Sequence, residues 1–215
     1  MTDVLPHLSD PAMLALHAVR ILGFADTARV ARRFRLGVDA VESDLEDFRA
    51  VGWVTRSEFA GTAGWSITDA GRERNEDLLR TELDGVGGRA EVAAVHQSFV
   101  PLNGRFQRAV TKWQLRPVGG NQMAANDHTD HRWDDRVLAS LQSIGRQLAP
   151  LETRLTAHLL RFEGYSGRYA ACLARALAGR HESVDGIGGD SCHVVWMELH
   201  QDLLGTLGLP RGEGH

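Results

Sequence analysis

Two polar stretches in the C-terminal half of the chain carry the side chains best suited to binding chemistry. The first, NDHTDHRWDD, covers residues 126–135, and the second, DSCHVVWMELH, covers residues 190–200. In the second stretch His193, Trp196 and His200 recur at helical spacing, so two imidazoles lie in an otherwise apolar stripe. Buried imidazoles need hydrogen-bond partners. The first stretch could supply them.

Three roles are open for this set of residues. Histidines and carboxylates are the usual ligands of zinc and other transition metals. They could instead line a pocket for a small molecule, or they could be histidines satisfied by carboxylates that lock the loop onto the last helix. We predict the third role, with no metal and no cofactor. The pocket alternative would use Trp113, Asn126, His128, Asp190, His193, Trp196 and His200.

A second group of residues has the chemistry for binding DNA, because cations displace the counterions of phosphates. Its members lie between positions 29 and 56, and they are Arg29, Arg32, Arg33, Ser43, Arg49 and Arg56. Residues 39–49 depart from this chemistry, since they hold five acidic side chains against one arginine. Such an acidic segment repels phosphate, although a carboxylate can accept a hydrogen bond from cytosine.

Composition limits the class of protein. The chain has 215 residues, a net charge of -4 and no apolar run approaching the ~18 residues of a membrane span. Residues 1–14 lack the pattern of a secretory signal, so we expect a cytoplasmic protein that does not enter a membrane. Only two cysteines are present, and no glycine-rich phosphate loop is followed by lysine, so we predict no catalytic residues and no enzyme activity.

The glycine-rich run LDGVGGRA near residue 85 divides the chain into two predicted domains. Residues 1–84 contain ten Arg and fifteen acidic residues, a net charge of -5, whereas the remainder has a net charge of +1. We therefore predict a first domain at 1–84 and a second at 85–215.

The first domain begins with three predicted helices, the second and third of which are joined by a turn at Gly37. Two short β-prone runs follow, WVTR at 53–56 and WSIT at 65–68, around a tip that contains Gly61 and Gly64. Helix, turn, helix and hairpin in this order predict a helix-turn-helix with a β-hairpin wing.

This region resembles the winged-helix transcriptional regulators, in particular the MarR-like and PadR-like groups. The resemblance rests on the run 27–52, the GWV that leads into the hairpin and the SITDAGR that leaves it. It implies that the third helix enters the major groove of DNA and that the protein regulates transcription as a homodimer.

The second domain reads as helical throughout, because apolar residues repeat at three- and four-residue intervals from Val92 to Leu207. We predict a mainly α protein, a winged helix followed by a helical bundle that could serve dimerisation or bind an effector. This part of the chain contains the runs LNGRFQRAVTKWQLRP, NDH and DSCHVVWMELHQDLLGTLGL. On these runs, most of residues 95–209 are similar to a helical region that accompanies winged helices in actinobacterial proteins, some of which are related to pyruvate phosphate dikinase. That similarity implies an alternative function: a non-enzymatic regulatory module that contacts a protein partner, an enzyme using phosphoenolpyruvate.

Overall fold

The computed structural model describes residues 6–59, 61–121 and 123–210. Residues 1–5, part of the segment read as lacking a secretory signal, lie outside the described residues. The chain is mainly helical with one small antiparallel sheet, which confirms the predicted fold class at that level. In chain order the elements are α1 (Pro11–Leu22), α2 (Thr27–Arg33), α3 (Val38–Ala50), β1 (Val54–Phe59), β2 (Thr62–Ile67), α4 (Asp69–Gly85), α5 (Arg89–Gln114), α6 (His131–Thr156), a 3-10 helix (Leu160–Phe162), α7 (Tyr165–Leu177), α8 (Glu182–Asp185) and α9 (Cys192–Leu207).

The described residues fall into two compact units. The first unit contains the chain up to Ala90 together with 156–161 and 200–210, and the second contains 91–155 and 162–199. This division differs from the predicted one, which ascribed everything after residue 84 to the second domain. The two returning segments hold buried charged side chains whose partners lie in the first unit, and sequence periodicity does not report such pairing.

Polar side chains start the first helices of the first unit. The Asp10 carboxylate accepts a hydrogen bond from the Met13 N–H at 2.9 Å, and Asp26 accepts one from the Arg29 N–H at 2.7 Å. These bonds satisfy donors that a helix leaves unpaired in its first turn. The apolar faces of α1, α2 and α3 then meet in one core with the hairpin, formed by Leu16, Val19, Val30, Ala31, Val41, Leu45, Val54 and Trp65.

The hairpin pairs β1 with β2 from Val54 opposite Ile67 to Phe59 opposite Thr62. Gly64 lies within β2 and not in the turn, because β2 begins at Thr62, three residues before the predicted start at Trp65. The Trp65 indole is buried and donates a hydrogen bond to the Thr27 hydroxyl at 3.0 Å. This bond fixes β2 against the start of α2.

Helix α4 starts close to the hairpin. The Thr68 hydroxyl accepts a hydrogen bond from the Gly71 N–H at 3.0 Å, which caps the helix. A Cβ atom on Gly71 would lie 2.0 Å from the Trp53 carbonyl oxygen. Only glycine allows this approach, so Gly71 is needed where α4 leaves the sheet.

The second unit is built from α5, α6, α7, α8 and the first half of α9. The predicted apolar stripe of α5 is buried as expected, and the helix continues through Pro101. The Tyr169 hydroxyl of α7 donates to the Leu141 carbonyl of α6 at 3.1 Å. The Glu152 carboxylate of α6 accepts a hydrogen bond from the Gly164 N–H at the start of α7. Apolar contacts and these buried polar bonds together join the helices.

Candidate functional site

The surface formed by α2, α3 and β1 holds most of the residues predicted to contact DNA. Helix α3 buries Val41 and Leu45 and exposes a stripe at Asp39, Ser43 and Asp47. The exposed positions recur every four residues, which is one face of a helix. The same face also carries the small side chains of Ala40 and Ala50, and the partly exposed carboxylates of Glu42 and Glu46 lie beside it.

Two of the predicted arginines on this surface are held by glutamates. The Arg49 guanidinium donates to Glu46 at 2.7 Å, and Arg56 of β1 lies 3.4 Å from Glu46 and 3.5 Å from Glu42. The guanidinium of Arg56 also lies 5.2 Å from the ring centre of Trp65. Both arginines remain about half exposed, so these contacts orient the guanidiniums at the surface and offset their charge.

Arg33 is not available to a phosphate. Its side chain is 3% exposed and its Nη2 atom lies 4.0 Å from the Asp202 carboxylate. Arg32 is exposed and Arg29 is half-buried. The prediction that Arg33 contacts DNA is therefore wrong in this conformation, because the α2 face that carries Arg33 points into the protein.

Asp202, whose carboxylate lies beside Arg33, belongs to a buried ionic network that we did not predict from the sequence. The Asp202 carboxylate, 0% exposed, accepts hydrogen bonds from the Arg161 guanidinium and from His17 Nε2, the latter at 3.0 Å. Arg161 also donates to Thr206 at 2.7 Å and to Glu82 at 3.0 Å. The charged groups thus neutralise one another away from water.

Burial and the neighbouring charges shift the pKa of each titratable group in this network in opposite directions. Burial lowers the pKa of His17, and the Asp202 charge opposes that shift only in part. Burial alone would raise the pKa of Asp202, but the nearby charges of Arg161, His17 and Arg33 outweigh it and hold that pKa well below its usual range. Asp202 is therefore an anion that the Arg161 guanidinium compensates, whereas the lowered pKa of His17 favours its neutral imidazole.

A sequence signal for this network existed. His17 lies in the apolar stripe of α1, between Leu16 and Val19, and Asp202 directly precedes two leucines. A titratable side chain on an apolar face indicates a buried group that needs a partner. The pattern could not identify that partner, because His17 and Asp202 are 185 positions apart.

The predicted pocket residues separate into several groups. Trp113, Asn126 and His128 come together with Asp134 in the second unit. The Asn126 amide donates to the Trp113 carbonyl at 2.9 Å and to Asp134 at 2.8 Å, and His128 Nδ1 lies 2.9 Å from Asp134. The residue His181, which we did not predict, places its ring 4.4 Å from that of His128.

This group locks the loop in place. His128 adopts a left-handed backbone conformation with φ of 57°, which is uncommon for a residue other than glycine. Asp134 is 5% exposed and joins the loop to α6, while Trp113 joins it to α5. The loop therefore docks on α5 and α6, whereas we had expected it to dock on the last helix.

The other predicted pocket residues lie elsewhere. Trp196 is buried and its indole donates to Asn103 at 2.9 Å, and half-buried His193 faces Phe106 with ring centres 6.4 Å apart. Asp190 forms a two-point ion pair with Arg168. His200 is buried in the part of α9 that groups with the first unit. These residues do not form the single pocket that the sequence analysis considered.

Two findings concern metal binding and membrane-spanning helices. Within the described ranges, no three His, Cys, Asp or Glu side chains come together as a metal-binding group. None of the helices in those ranges has both the length and the apolar character needed to cross a bilayer.

Comparison of the chain with protein families, curated proteins and solved structures finds no match. The resemblances noted from the sequence therefore stay predictions.

Proposed function

We propose that the first unit is a winged helix that binds double-stranded DNA, with α3 in the major groove and the β1–β2 hairpin as the wing. The observation that carries the proposal is the exposed face of α3, where the side chains of Ala40, Ser43 and Ala50 are short. They lie among the carboxylates of Asp39 and Asp47, and the Asp39 carboxylate, in the first turn of α3, can accept a hydrogen bond from cytosine. The element order from α2 to α4 is the one that such domains use.

The cations available for phosphates are fewer than the sequence implied. Arg32 is exposed on α2, and Arg49 and Arg56 stand at the surface with their guanidiniums oriented by Glu46. An oriented guanidinium loses less freedom when it binds a phosphate or a guanine. We propose these three arginines, with Arg29 at the margin, as the DNA contacts. A homodimer in the cytoplasm would fit this role, since two copies match a two-fold DNA site.

A second function has one observation in its favour, the negative charge of α3. Asp39 and Asp47 are exposed, and the pKa of Asp44 is raised by burial and by the charges of Asp10 and Asp47. Negative charge therefore accumulates along this helix. The alternative is a regulatory module without enzyme activity whose α3 contacts a basic surface of a protein partner, an enzyme that uses phosphoenolpyruvate.

DNA selection tests the first proposal. The full chain should retain particular fragments from a genomic library at low salt, with a binding constant that falls steeply as salt rises. Arg32→Ala should weaken binding and reduce the salt slope by about one ion. Arg132→Ala, an exposed arginine of the second unit, is the matched control and should change neither quantity. If no fragment is retained, or if the two variants behave alike, the proposal is wrong.

Asp47→Asn separates the two functions because it removes one exposed negative charge from α3 and leaves the Glu46 contacts of Arg49 and Arg56 in place. DNA binding predicts tighter retention of the selected fragment by this variant. Contact with a basic protein surface predicts weaker binding of the partner. The direction of the change therefore decides between the functions.

A further inference from the structure

A groove of about 390 Å³ lies between α5 and the first half of α9 in the second unit. This volume falls in the range of small-molecule sites, roughly 300 to 1,000 Å³. None of the described side chains that line it carries a permanent charge. They are Phe106, Gln107, Val110, Thr111, His193 and Met197.

Helix α5 forms the floor and one rim. Phe106 and Val110 are buried and lie one turn apart, so they form an apolar strip along the helix. Gln107 and Thr111 are exposed, and they directly follow Phe106 and Val110 in the chain. Positions four apart lie on the same face of a helix, so an apolar row runs beside a polar row.

Helix α9 forms the other wall. His193 and Met197 are half-buried and again four residues apart. The ring of His193 lies within 5° of parallel to that of Phe106, and Phe106 is within 13° of parallel to Trp196 at 4.6 Å. Because these planes share one orientation, a flat ring in the groove can lie parallel to all of them at once.

We propose that this groove binds a neutral, planar aromatic molecule that carries a hydrogen-bonding group. The apolar strip and the aligned rings favour a flat ring. His193, Gln107 and Thr111 offer the donors and acceptors for its polar group. A carboxylate or a phosphate is disfavoured, since none of the described residues that line the groove is an arginine or a lysine that could offset its charge. The proposal does not depend on DNA binding.

Methionine methyl signals test the proposal, with benzamide as the probe. In protein labelled with ¹³C-methyl methionine, Met197 reports on the groove, while Met13 of α1 and Met123 of the loop before α6 serve as internal controls. Benzamide at pH 8 should shift the Met197 signal to saturation and leave the Met13 signal unchanged. Benzoate has the same ring with a charge and should bind at least about tenfold more weakly. Cyclohexanecarboxamide has the amide without the flat ring, and it should also bind more weakly.

Variants locate the binding. Val110→Phe fills the floor of the groove and should abolish the shift, whereas Val118→Phe changes an exposed valine outside it and should not. If Val110→Phe fails to fold, Thr111→Trp covers the groove from an exposed position and should have the same effect. The proposal is overturned if Met197 shows no saturable shift, if benzoate or cyclohexanecarboxamide binds as tightly as benzamide, or if a folded, filled variant still binds.

Discussion

Both units have a buried apolar core, and the buried contacts that accompany it differ between them. In the first unit, Asp202, Arg161 and His17 place ionic and polar groups in a region closed to water. In the second, the rings of Phe99, Trp196 and Phe106 stack at centre distances of 4.8 and 4.6 Å. One helix serves both, since Trp196 and Asp202 both belong to α9.

The two units should therefore differ in the substitutions that their buried residues tolerate. Packing between aromatic rings depends less strictly on geometry than an ion pair does, and the loss of one ring leaves a cavity whose cost depends on how far the neighbours relax. A buried ion pair is directional, and the loss of one partner leaves the other as an uncompensated charge. We therefore expect the first unit to be specific about which residues can occupy its interior and the second to accept apolar substitutions of similar volume.

The largest effect is expected for Asp202→Ala. The substitution removes the carboxylate beside Arg161, whose side chain is 0% exposed, and leaves that guanidinium with Glu82 as its acidic partner in this network. It also removes the carboxylate 4.0 Å from Arg33. Breaking a buried pair in this way costs about 3–5 kcal/mol of unfolding free energy. Urea unfolding, followed by hydrogen exchange at α1 amides, measures the loss and places it in the first unit.

Asp190→Ala is the matched control for that substitution. Asp190 also binds an arginine at two points, but its side chain is 42% exposed. Exposed pairs contribute about 1 kcal/mol or less. Equal losses for the two aspartate variants would show that the buried network does not distinguish the first unit.

A smaller loss is expected for Trp196→Phe in the second unit. Phenylalanine keeps most of the stacking with Phe99 and Phe106 but removes the indole donor, which leaves Asn103 without that bond in a fully buried site. An unsatisfied buried acceptor costs about 1–3 kcal/mol. Urea unfolding followed by hydrogen exchange at α5 amides measures the loss. A cost as large as that of Asp202→Ala would contradict the contrast between the units.

Sequence periodicity predicted the apolar half of this contrast well. The stripe of α5 from Val92 to Trp113 is buried as expected, since period and burial are linked directly in a helix. The ionic half was missed because Asp202 and Arg161 are paired with side chains far away along the chain. For the same reason, periodicity could not show that the predicted pocket residues belong to separate groups. His128 bonds to Asp134 only six positions away, and His193 lies in a different group.

Acidification should weaken the first unit. Burial lowers the pKa of His17 from 6.5, so below that pH the unfolded chain binds a proton more readily than the folded one, and stability is lost as pH falls toward the folded pKa. One such group gives a slope of at most about 1.4 kcal/mol per pH unit. The lowered pKa of Asp202 makes its contribution present above about pH 4 and lost below it.

His17→Gln isolates the histidine contribution, because glutamine has no titration near neutral pH. Urea unfolding between pH 8 and pH 5 should show a flatter dependence for this variant than for the parent chain. The remaining slope would include His96 of the second unit, whose pKa burial also lowers. If the pH dependence of the unfolding free energy is unchanged in this variant, His17 does not contribute to it.

The smallest loss of stability is expected for His193→Ala, although from the sequence we singled out His193 and not His17. We had expected a buried imidazole whose replacement would strand a partner. The structure places His193 half-buried at the rim of the α5–α9 groove, where water can reach its ring, while His17 is 0% exposed between Asn75 and Asp202. Substitutions away from buried polar networks usually change stability by about 0.5 kcal/mol or less. Thermal unfolding of His193→Ala beside His17→Ala measures both losses of stability. Equal losses for the two variants would mean that His193 has a buried partner and contributes to the second unit as much as His17 contributes to the first.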